Sequence, residues 1–160
     1  MAICAFITIP ATIPFTLQTF AMFTAVTTLG MKNGTIAIGV YIFLGGIGFP
    51  IFSGFRGGPG VLFGPTGGYI IGFLFIGILT GGIIKAFGRS TPILIIAMVL
   101  GLLGTYAFGT IFFLLVYSTN NQPESIFTVL SWCVFPYLIP DCLKITLSIL
   151  LSKRLMKLNK

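Results

Sequence analysis

Long apolar stretches with very few charged residues constrain this chain more than any other feature. Charged residues make up 7% of its 160 residues and apolar residues 56%, whereas about 25% of an ordinary soluble domain is charged. A soluble fold of this length would expose large apolar patches, which cause proteins to associate. Since only helices and closed barrels satisfy the backbone in a lipid bilayer, we predict an all-α integral membrane protein with a single domain over residues 1–160.

Six apolar stretches predict a bundle of six membrane-spanning helices. Their expected bounds are Met1–Ile9, Leu17–Met31, Thr35–Ile47, Gly67–Phe87, Pro92–Ser118 and a last helix that starts at Pro140. The first stretch rises about 14 Å as a helix, whereas a span needs about 30 Å. The numbered chain is therefore expected to begin part-way into its first helix. Before the last helix, Ser125–Leu138 contains Trp132 and Pro136 and is expected to form a short, re-entrant helix.

Breaks between these stretches indicate loops. Pro10 and Pro14 predict a non-helical connection over Ala11–Thr16, and Lys32–Gly34 and Thr119–Glu124 predict turns. The largest break, Gly48–Gly68, contains three prolines, and we refer to it as the Gly/Pro stretch. Non-helical backbone at membrane depth persists only where protein covers it or where it lines a cavity. The stretch therefore predicts a binding site, and its apolar side chains are expected inside the fold: Ile51, Phe52, Phe55, Val61, Leu62 and Phe63.

The basic residues predict the topology. With six spans both termini lie on one side, which also receives seven of the nine basic residues: Lys32, Lys85, Arg89, Lys153, Arg154, Lys157 and Lys160. The other side carries Arg56 and Lys144. Because cytoplasmic loops carry an excess of Lys and Arg, the first side is predicted to be cytoplasmic. The outer side then holds Gln18, the Gly/Pro stretch, Glu124 and Asp141, and the net charge of +7 indicates membrane topology rather than nucleic-acid binding.

Small residues recur at four-residue spacing on the fourth and fifth predicted helices. They are Gly68, Gly72, Gly77 and Gly81 on the fourth helix and Gly101, Thr105 and Gly109 on the fifth. Small residues at this spacing let helices approach closely in lipid. They predict packing seams within the bundle, and the alternative is a sliding surface for a partner subunit.

The sequence offers little for catalysis. It contains no His and only two acidic residues, Glu124 and Asp141, so neither a metal cluster nor an acid/base pair of carboxylates is expected. Cys4, Cys133 and Cys142 lack metal-ligand spacing and are expected to act as small apolar side chains. Because the sequence has no Gly-x-x-x-x-Gly-Lys-Ser/Thr loop, any nucleotide that drives this protein is expected to bind another polypeptide.

Asp141 and Lys144 are the most informative charged residues. They are three residues apart and so share one helix face. Pro140 suits the first position of a helix and Asp141 its first turn. A charge within a span costs about 2.5–3.5 kcal/mol on insertion scales, so a charged pair in this chain indicates a bound ligand. A salt bridge that fixes the helix is the alternative.

Other outer-side residues are candidates for the same site. Gln18 either caps the second helix or bonds a ligand, and Arg56, beside Gly57 and Gly58, either reaches water and headgroups or attracts an anionic substrate. Several aromatic residues either wall the site or serve in packing and in the membrane interface. They are Phe15, Tyr41, Phe52, Tyr69 and Trp132.

Four segments resemble the BioY family, in the family's order and over nearly the whole chain. Pro14–Thr19 resembles the loop after the family's first helix, and Gly45–Phe52 resembles its Leu-Gly-x-x-Gly-x-Pro-Val-Phe stretch. Gly57–Tyr69 resembles its glycine-rich signature, and Phe135–Lys144 resembles its Pro-Gly-Asp-x-x-Lys segment. Pro140 stands where the family often has Gly, so the helix start is expected to differ slightly.

The resemblance implies a six-helix substrate-binding subunit of an energy-coupling-factor transporter, with biotin as ligand and without a cofactor or catalytic activity of its own. The implied partners are a transmembrane coupling protein and two cytoplasmic ATPases, in a bacterial plasma membrane. The ligand contacts implied for this chain include Asp141 and Lys144, with the loops around Gln18 and Gly57 closing over the site. The predicted binding set is completed by Tyr41, Phe52, Arg56, Gly58, Gly67 and Tyr69.

Biotin has an anionic tail, an apolar ring and a ureido group with two N–H donors. We expect Lys144, with Arg56, to pair with the carboxylate and Asp141 to accept the ureido N–H groups, since hydrogen bonds to an ionised acceptor are strong. The reverse orientation is the alternative. Three other functions remain open: capture of another small vitamin, an enzyme of lipid metabolism, and a scaffold without a ligand.

Overall fold

The structure, a computed structural model, describes residues 1–9, 15–120 and 125–158. Pro10 and Pro14, which predict a non-helical connection after the first helix, lie outside these ranges. The same holds for Glu124, placed on the outer side, and for Lys160, placed on the cytoplasmic side.

Helices account for most of the described chain, as predicted. In chain order the elements are α1 (Ala2–Phe6), β1 (Thr8–Ile9), β2 (Phe15–Thr16), α2 and α3 (together Gln18–Gly46), α4 (Pro59–Leu62), α5 (Gly67–Phe87), α6 (Thr91–Asn120), α7 (Ile126–Cys133) and α8 (Phe135–Leu158). The two short strands pair antiparallel, with Thr8 opposite Thr16.

Gly30 separates α2 (18–29) from α3 (31–46), and the two helices fold back on each other. Its φ of 81° and ψ of 173° suit glycine, which lacks a Cβ. A straight helix would place residues 26 and 34 about 12 Å apart, yet a Cβ on Gly34 would approach the Cα of Val26 to 2.6 Å. The two predicted helices are confirmed, but the turn predicted at Lys32–Gly34 is wrong, because those residues are helical and Gly30 takes the positive φ.

Three helices of the described chain are long and apolar enough to cross a membrane: Gly67–Phe87, Thr91–Tyr117 and Phe135–Leu155. The bounds of α5 are those predicted from the sequence. Its 21 residues rise about 31 Å, which matches the hydrocarbon core of a bilayer at about 30 Å.

The start of α8 differs from the prediction. The helix begins at Phe135, so Pro140 lies inside it and Asp141 is beyond its first turn. Pro136 instead lies in the first turn of α8. Its missing N–H is tolerated there because N–H groups of the first turn have no acceptor within the helix. The expected short helix within Ser125–Leu138 is present as α7, which ends at Cys133.

The Gly/Pro stretch is irregular, as predicted. It contains the 3₁₀ turn Ser53–Phe55 and the four-residue α4. Phe52 is 1% exposed and lies inside the fold, but Phe55 and Phe63 are 66% and 71% exposed. The expectation that all its apolar side chains are buried is therefore wrong. Phe55 instead stacks on Phe6 of α1 at the surface, with ring centroids 4.2 Å apart.

Small residues form the seam between α5 and α6. The Thr105 hydroxyl donates to the carbonyl of Gly72 at 2.9 Å, and a Cβ on Gly109 would collide with the Tyr69 ring. Glycines of the second half of α5 face α3 in the same way. The predicted packing seams are confirmed, because these small residues meet other helices of this chain.

Hydroxyl pairs join α2 to α8. Thr24 Oγ1 lies 3.0 Å from Ser148 Oγ, and Thr27 Oγ1 lies 2.5 Å from Ser152 Oγ. Hydrogen bonds between helices contribute roughly 1 kcal/mol each in a membrane. They fix the face of α8 that points at α2, and Asp141 lies on the same side of α8, where it meets Thr19.

Candidate functional site

A cavity of about 90 Å³ lies where α2, α5, α6 and α8 meet the Gly/Pro stretch. Most of its wall is apolar or aromatic, and a few polar groups converge on it, which is the usual composition of a small-molecule site. Its lining comprises Thr16, Gln18, Thr19, Phe52, Ser53, Arg56, Val61, Thr66, Tyr69, Ile70, Phe73, Leu102, Thr105, Tyr106, Cys133, Tyr137, Asp141 and Lys144.

An ion pair lies in the cavity wall. Lys144 Nζ is 2.7 Å from Asp141 Oδ1, and the two residues are 4% and 3% exposed. Their three-residue spacing puts both side chains on one face of α8, as the sequence predicted, and the structure places that face in the cavity wall. The salt bridge and the cavity position occur together, so the two interpretations of this pair are compatible.

Two further hydroxyls bind the Asp141 carboxylate. Thr19 Oγ1 of α2 donates to Oδ1 at 3.2 Å, and the Tyr106 hydroxyl of α6 donates to Oδ2. Residues from three helices therefore hold one carboxylate. A carboxylate has about four acceptor positions, so Asp141 can accept a further donor from a ligand.

Lys144 also contacts an aromatic ring. Its Nζ lies 4.2 Å from the ring centroid of Phe15, the first residue of β2. A cation over an aromatic face gains about 2 kcal/mol when the pair is desolvated. An ammonium group has three donors, one of which points to Asp141. The remaining donors can bind a ligand oxygen.

Gln18 connects the cavity to the loops above it. Its side chain accepts from Thr16 Oγ1 at 3.0 Å and donates to the Tyr41 hydroxyl at 2.5 Å. The Tyr41 hydroxyl in turn donates to the carbonyl of Ile51 at 2.9 Å. These side-chain bonds of Gln18 thus go to Thr16 and Tyr41, and Gln18 lies in the cavity wall. Tyr41 supports Gln18 from behind and is outside the lining.

Arg56 and Phe52 bring the Gly/Pro stretch to the cavity. They form an isolated antiparallel bridge, in which the N–H of Phe52 donates to the carbonyl of Arg56 at 3.0 Å. The Phe52 side chain points inward, whereas Arg56 is exposed and its Nε donates to the carbonyl of Ser53 at 3.4 Å. Arg56 therefore lies at the rim of the cavity.

Tyr69 lines the cavity from α5. Its ring is buried against Gly109, and its hydroxyl is 3.0 Å from Thr110 Oγ1 of α6. Trp132 is outside the lining and packs edge-on against Tyr117, with ring centroids 6.4 Å apart. Tyr69 therefore lies in the cavity wall, whereas Trp132 serves in packing.

The three predicted site glycines do not line the cavity; they shape the backbone beside it. Gly58 has a φ of 98°, and its N–H donates to the carbonyl of Gly45 at 2.7 Å. A Cβ on Gly57 would collide with the carbonyl of Phe49, and one on Gly67 would collide with that of Leu62. They permit close backbone approaches that hold the Gly/Pro stretch over the cavity.

The sequence analysis did not identify Tyr106, Thr19 and Tyr137 as site residues. The available signal for Tyr106 is its hydroxyl within a long apolar helix, since a buried Tyr O–H usually has a partner. Thr19 directly follows Gln18 in α2. Their partner Asp141 is 35 and 122 residues away along the chain, so spacing alone could not bring them together.

Taken together, the site offers an anionic acceptor, a cationic donor and an amide within an apolar enclosure. Burial of these groups excludes water and strengthens electrostatic interactions. A ligand with a polar head, an apolar body and an anionic tail would satisfy Asp141 and Lys144, the walls and Arg56, respectively.

Comparisons with known proteins identify the family and the fold. A family model described as the BioY family matches residues 1–160. The protein named biotin transporter BioY from Thermotoga maritima is 36% identical over 156 residues, which cover 97% of this chain and 88% of that protein. The probable biotin transporter BioY from Pyrococcus horikoshii is 33% identical over 143 residues, with 89% and 80% coverage.

A solved structure has the same fold. It is the crystal structure of the S-component for biotin from an ECF-type ABC transporter, which matches with a TM-score of 0.83 and 31% identity over 98% of this chain and 84% of that one. With the apolar helices described above, these transporter relatives show that the chain is a membrane protein. The full-length family match and the relatives place it plainly: the chain belongs to the BioY family.

Proposed function

We propose that this chain is the biotin-binding, substrate-capture subunit of an energy-coupling-factor importer. Relatives named biotin transporters and the structural similarity to a biotin S-component support this proposal. The observation that carries it is the buried Asp141–Lys144 pair, which faces an apolar cavity and retains hydrogen-bonding capacity there.

The geometry favours one orientation of biotin over the one expected from the sequence. Because Lys144 Nζ is 2.7 Å from Asp141 Oδ1, the same end of a ligand meets both charges. A ureido group suits both, since its N–H donates to Asp141 and its carbonyl accepts from Lys144. The carboxylate at the far end then points to Arg56 at the exposed rim. We therefore propose the ureido head at the ion pair and the carboxylate at Arg56.

Entry of biotin requires the cavity to widen. Its volume is about 90 Å³, whereas small-molecule sites usually enclose about 300 Å³ or more. The Gly/Pro stretch is the part of the wall that regular helices do not hold, and Gly58 ties it to the end of α3. We propose that this stretch moves outward to admit biotin and then closes over it, together with the segment around Gln18.

The direct test is equilibrium binding of biotin to the detergent-purified protein. Asp141→Asn and Lys144→Ala should each weaken binding at least tenfold, because each removes one partner of a ureido contact. Lys157→Ala, on an exposed position of the same helix, is the matched control and should bind like the wild type. Thermal unfolding of each variant checks that it is folded. Unchanged affinity in either site variant rules out this assignment of the pair.

A thermal-shift screen tests the choice of ligand. Biotin should raise the unfolding temperature, whereas thiamine and riboflavin should leave it unchanged. If only another vitamin raises the unfolding temperature, the assignment of the site stands and that vitamin replaces biotin as the proposed ligand. The absence of any shift would instead favour a scaffold without a ligand.

The proposed transport cycle includes partners. We propose a single-domain protein that passes the bacterial plasma membrane six times, with both termini on the cytoplasmic side. α5, α6 and α8 are long enough for three of these passages. We assign two more to the hairpin of α2 and α3 and the sixth to the N-terminal segment that contains α1. A transmembrane coupling protein and two cytoplasmic ATPases supply the energy, and biotin is released inward. The excess of basic residues at the C-terminus and in the predicted loops on the same side supports this orientation.

A further inference from the structure

A second, larger groove lies away from the biotin cavity, where the turn between α2 and α3 meets the end of α5. It has a volume of about 700 Å³. The groove shares no residue with the cavity around Asp141. A ligand in this groove would therefore bind apart from the proposed biotin site.

Three cations surround this groove. Lys32 follows the Gly30 turn, Lys85 is in the last turn of α5, and Arg89 lies just beyond that helix. All three side chains are exposed. The sequence contains only two acidic residues, and Asp141 is bound to Lys144 in the other cavity. The groove is consequently a concentrated positive region.

The start of α3 adds to the positive potential. The break at Gly30 makes residues 31–33 the first turn of a new helix, and these residues line the groove. A helix N-terminus carries a partial positive charge, which disfavours a nearby cation and favours an anion. Lys32 lies in this unfavourable position, and an anion in the groove would compensate for it.

The rest of the groove wall is apolar and faces outward. Leu29 and Ile36 are each 54% exposed and Ile78 is 48% exposed. In a membrane protein these side chains contact acyl chains. The groove thus combines cations with an adjoining apolar surface. This combination is complementary to an amphiphile that has an anionic head and apolar chains.

We propose that this groove binds an anionic phospholipid. The headgroup phosphate lies between Lys32 and Lys85, near the start of α3, and the acyl chains run along Leu29, Ile36 and Ile78. Basic pockets between membrane helices bind anionic headgroups, and each nearby Lys or Arg adds to the attraction. A bound lipid would also link the α2–α3 turn to α5.

The experiment compares two double variants that lose the same charge. Lys32→Gln/Lys85→Gln removes the groove cations, and Arg154→Gln/Lys157→Gln removes two exposed cations at the end of α8. Each protein is purified in detergent, and only preparations that elute as a single symmetric peak at the same volume in size-exclusion chromatography are compared. Phosphatidylglycerol or phosphatidylcholine is then added, and bound lipids are counted by native mass spectrometry while thermal unfolding is followed.

We expect wild type and the α8 variant to retain phosphatidylglycerol in preference to phosphatidylcholine and to unfold at a higher temperature with it. The groove variant should bind at least tenfold less phosphatidylglycerol and lose that stabilisation. Equal losses in both variants would indicate non-specific surface charge and overturn the site. An absence of preference for the anionic lipid in wild type would also overturn it.

A further experiment with soluble ligands distinguishes binding of a lipid from binding of a free phosphate. Inorganic phosphate and glycerol 3-phosphate carry the headgroup charge without acyl chains. If the groove binds lipid, neither should stabilise the wild type at concentrations where phosphatidylglycerol does. Stabilisation by either that matches the lipid would assign the groove to a soluble phosphate and exclude the lipid.

Discussion

At the scale of single residues, the Asp141 carboxylate organises the proposed biotin site. Lys144 and Thr19 bind one of its oxygens and Tyr106 binds the other. A buried charge is tolerated only when it is paired and hydrogen-bonded. The three donors come from α8, α2 and α6. The orientation of the carboxylate is therefore fixed only as long as these three helices are packed together.

The hydroxyl of Tyr106 therefore positions the acceptor for biotin. Tyr106→Phe should raise the dissociation constant of biotin about tenfold, because a hydrogen bond to a charged group contributes about 1.5 kcal/mol. Isothermal titration calorimetry on the purified variant measures this change. Tyr117→Phe, whose ring stacks on Phe113 away from the cavity, is the control and should leave affinity unchanged. Wild-type affinity in Tyr106→Phe would show that the hydroxyl has no positioning role.

At the scale of elements, the hairpin of α2 and α3 depends on one glycine. Gly30 has a φ of 81° and a ψ of 173°, a region that only glycine readily occupies. The hairpin brings Gln18 on α2 within hydrogen-bond distance of Tyr41 on α3. It also places the start of α3 beside Lys85 in the groove. Both sites therefore depend on this turn.

Gly30→Ala should destabilise the protein by about 1–3 kcal/mol, because alanine would adopt a strained backbone conformation there. Gly39→Ala is the matched control: it lies within α3, and an added Cβ would meet nothing within 4 Å. Alanine in a helix interior is favoured over glycine by about 0.5–1 kcal/mol. Thermal unfolding in detergent should therefore show a lower midpoint for Gly30→Ala and an equal or higher one for Gly39→Ala. Equal midpoints would contradict the role of the turn.

The Gly/Pro stretch is the second element with a specific backbone requirement. Gly58 combines a φ of 98° with a hydrogen bond to Gly45. Gly58→Ala should displace the stretch and weaken biotin binding severalfold. Gly60→Ala should bind normally, since a Cβ there would meet nothing within 4 Å. Equilibrium binding of biotin to both variants decides the matter, and equal affinities would argue against closure by this stretch.

At the scale of the whole molecule, the proposed topology places the biotin cavity and the lipid groove on opposite sides of the membrane. Arg56 lies at the cavity rim and Lys32, Lys85 and Arg89 lie at the groove. Biotin would enter from outside, while the proposed lipid would occupy the leaflet on the cytoplasmic side. Anionic lipids concentrated in that leaflet would favour the same orientation.

Cysteine labelling tests this orientation. In a variant without Cys4, Cys133 and Cys142, labelling of a new cysteine at an exposed position shows on which side of the membrane that position lies. On intact cells, a membrane-impermeant maleimide should label Arg56→Cys and should reach Lys157→Cys only after lysis. The opposite pattern would invert the topology, and labelling of both on intact cells would contradict the three passages proposed between Arg56 and Lys157.

Sequence reasoning was sufficient to predict the membrane environment, the span α5 and the placement of Asp141 and Lys144 on one helix face. These features depend on composition or on neighbours within one helix, where spacing and geometry are directly related. The turn at Gly30 rather than at Lys32–Gly34 is evident only in the folded chain, because a glycine within an apolar run is compatible with a continuous helix. The contacts of Tyr106 and Thr19 with Asp141 also required the folded chain, since contacts between distant segments depend on how whole helices pack.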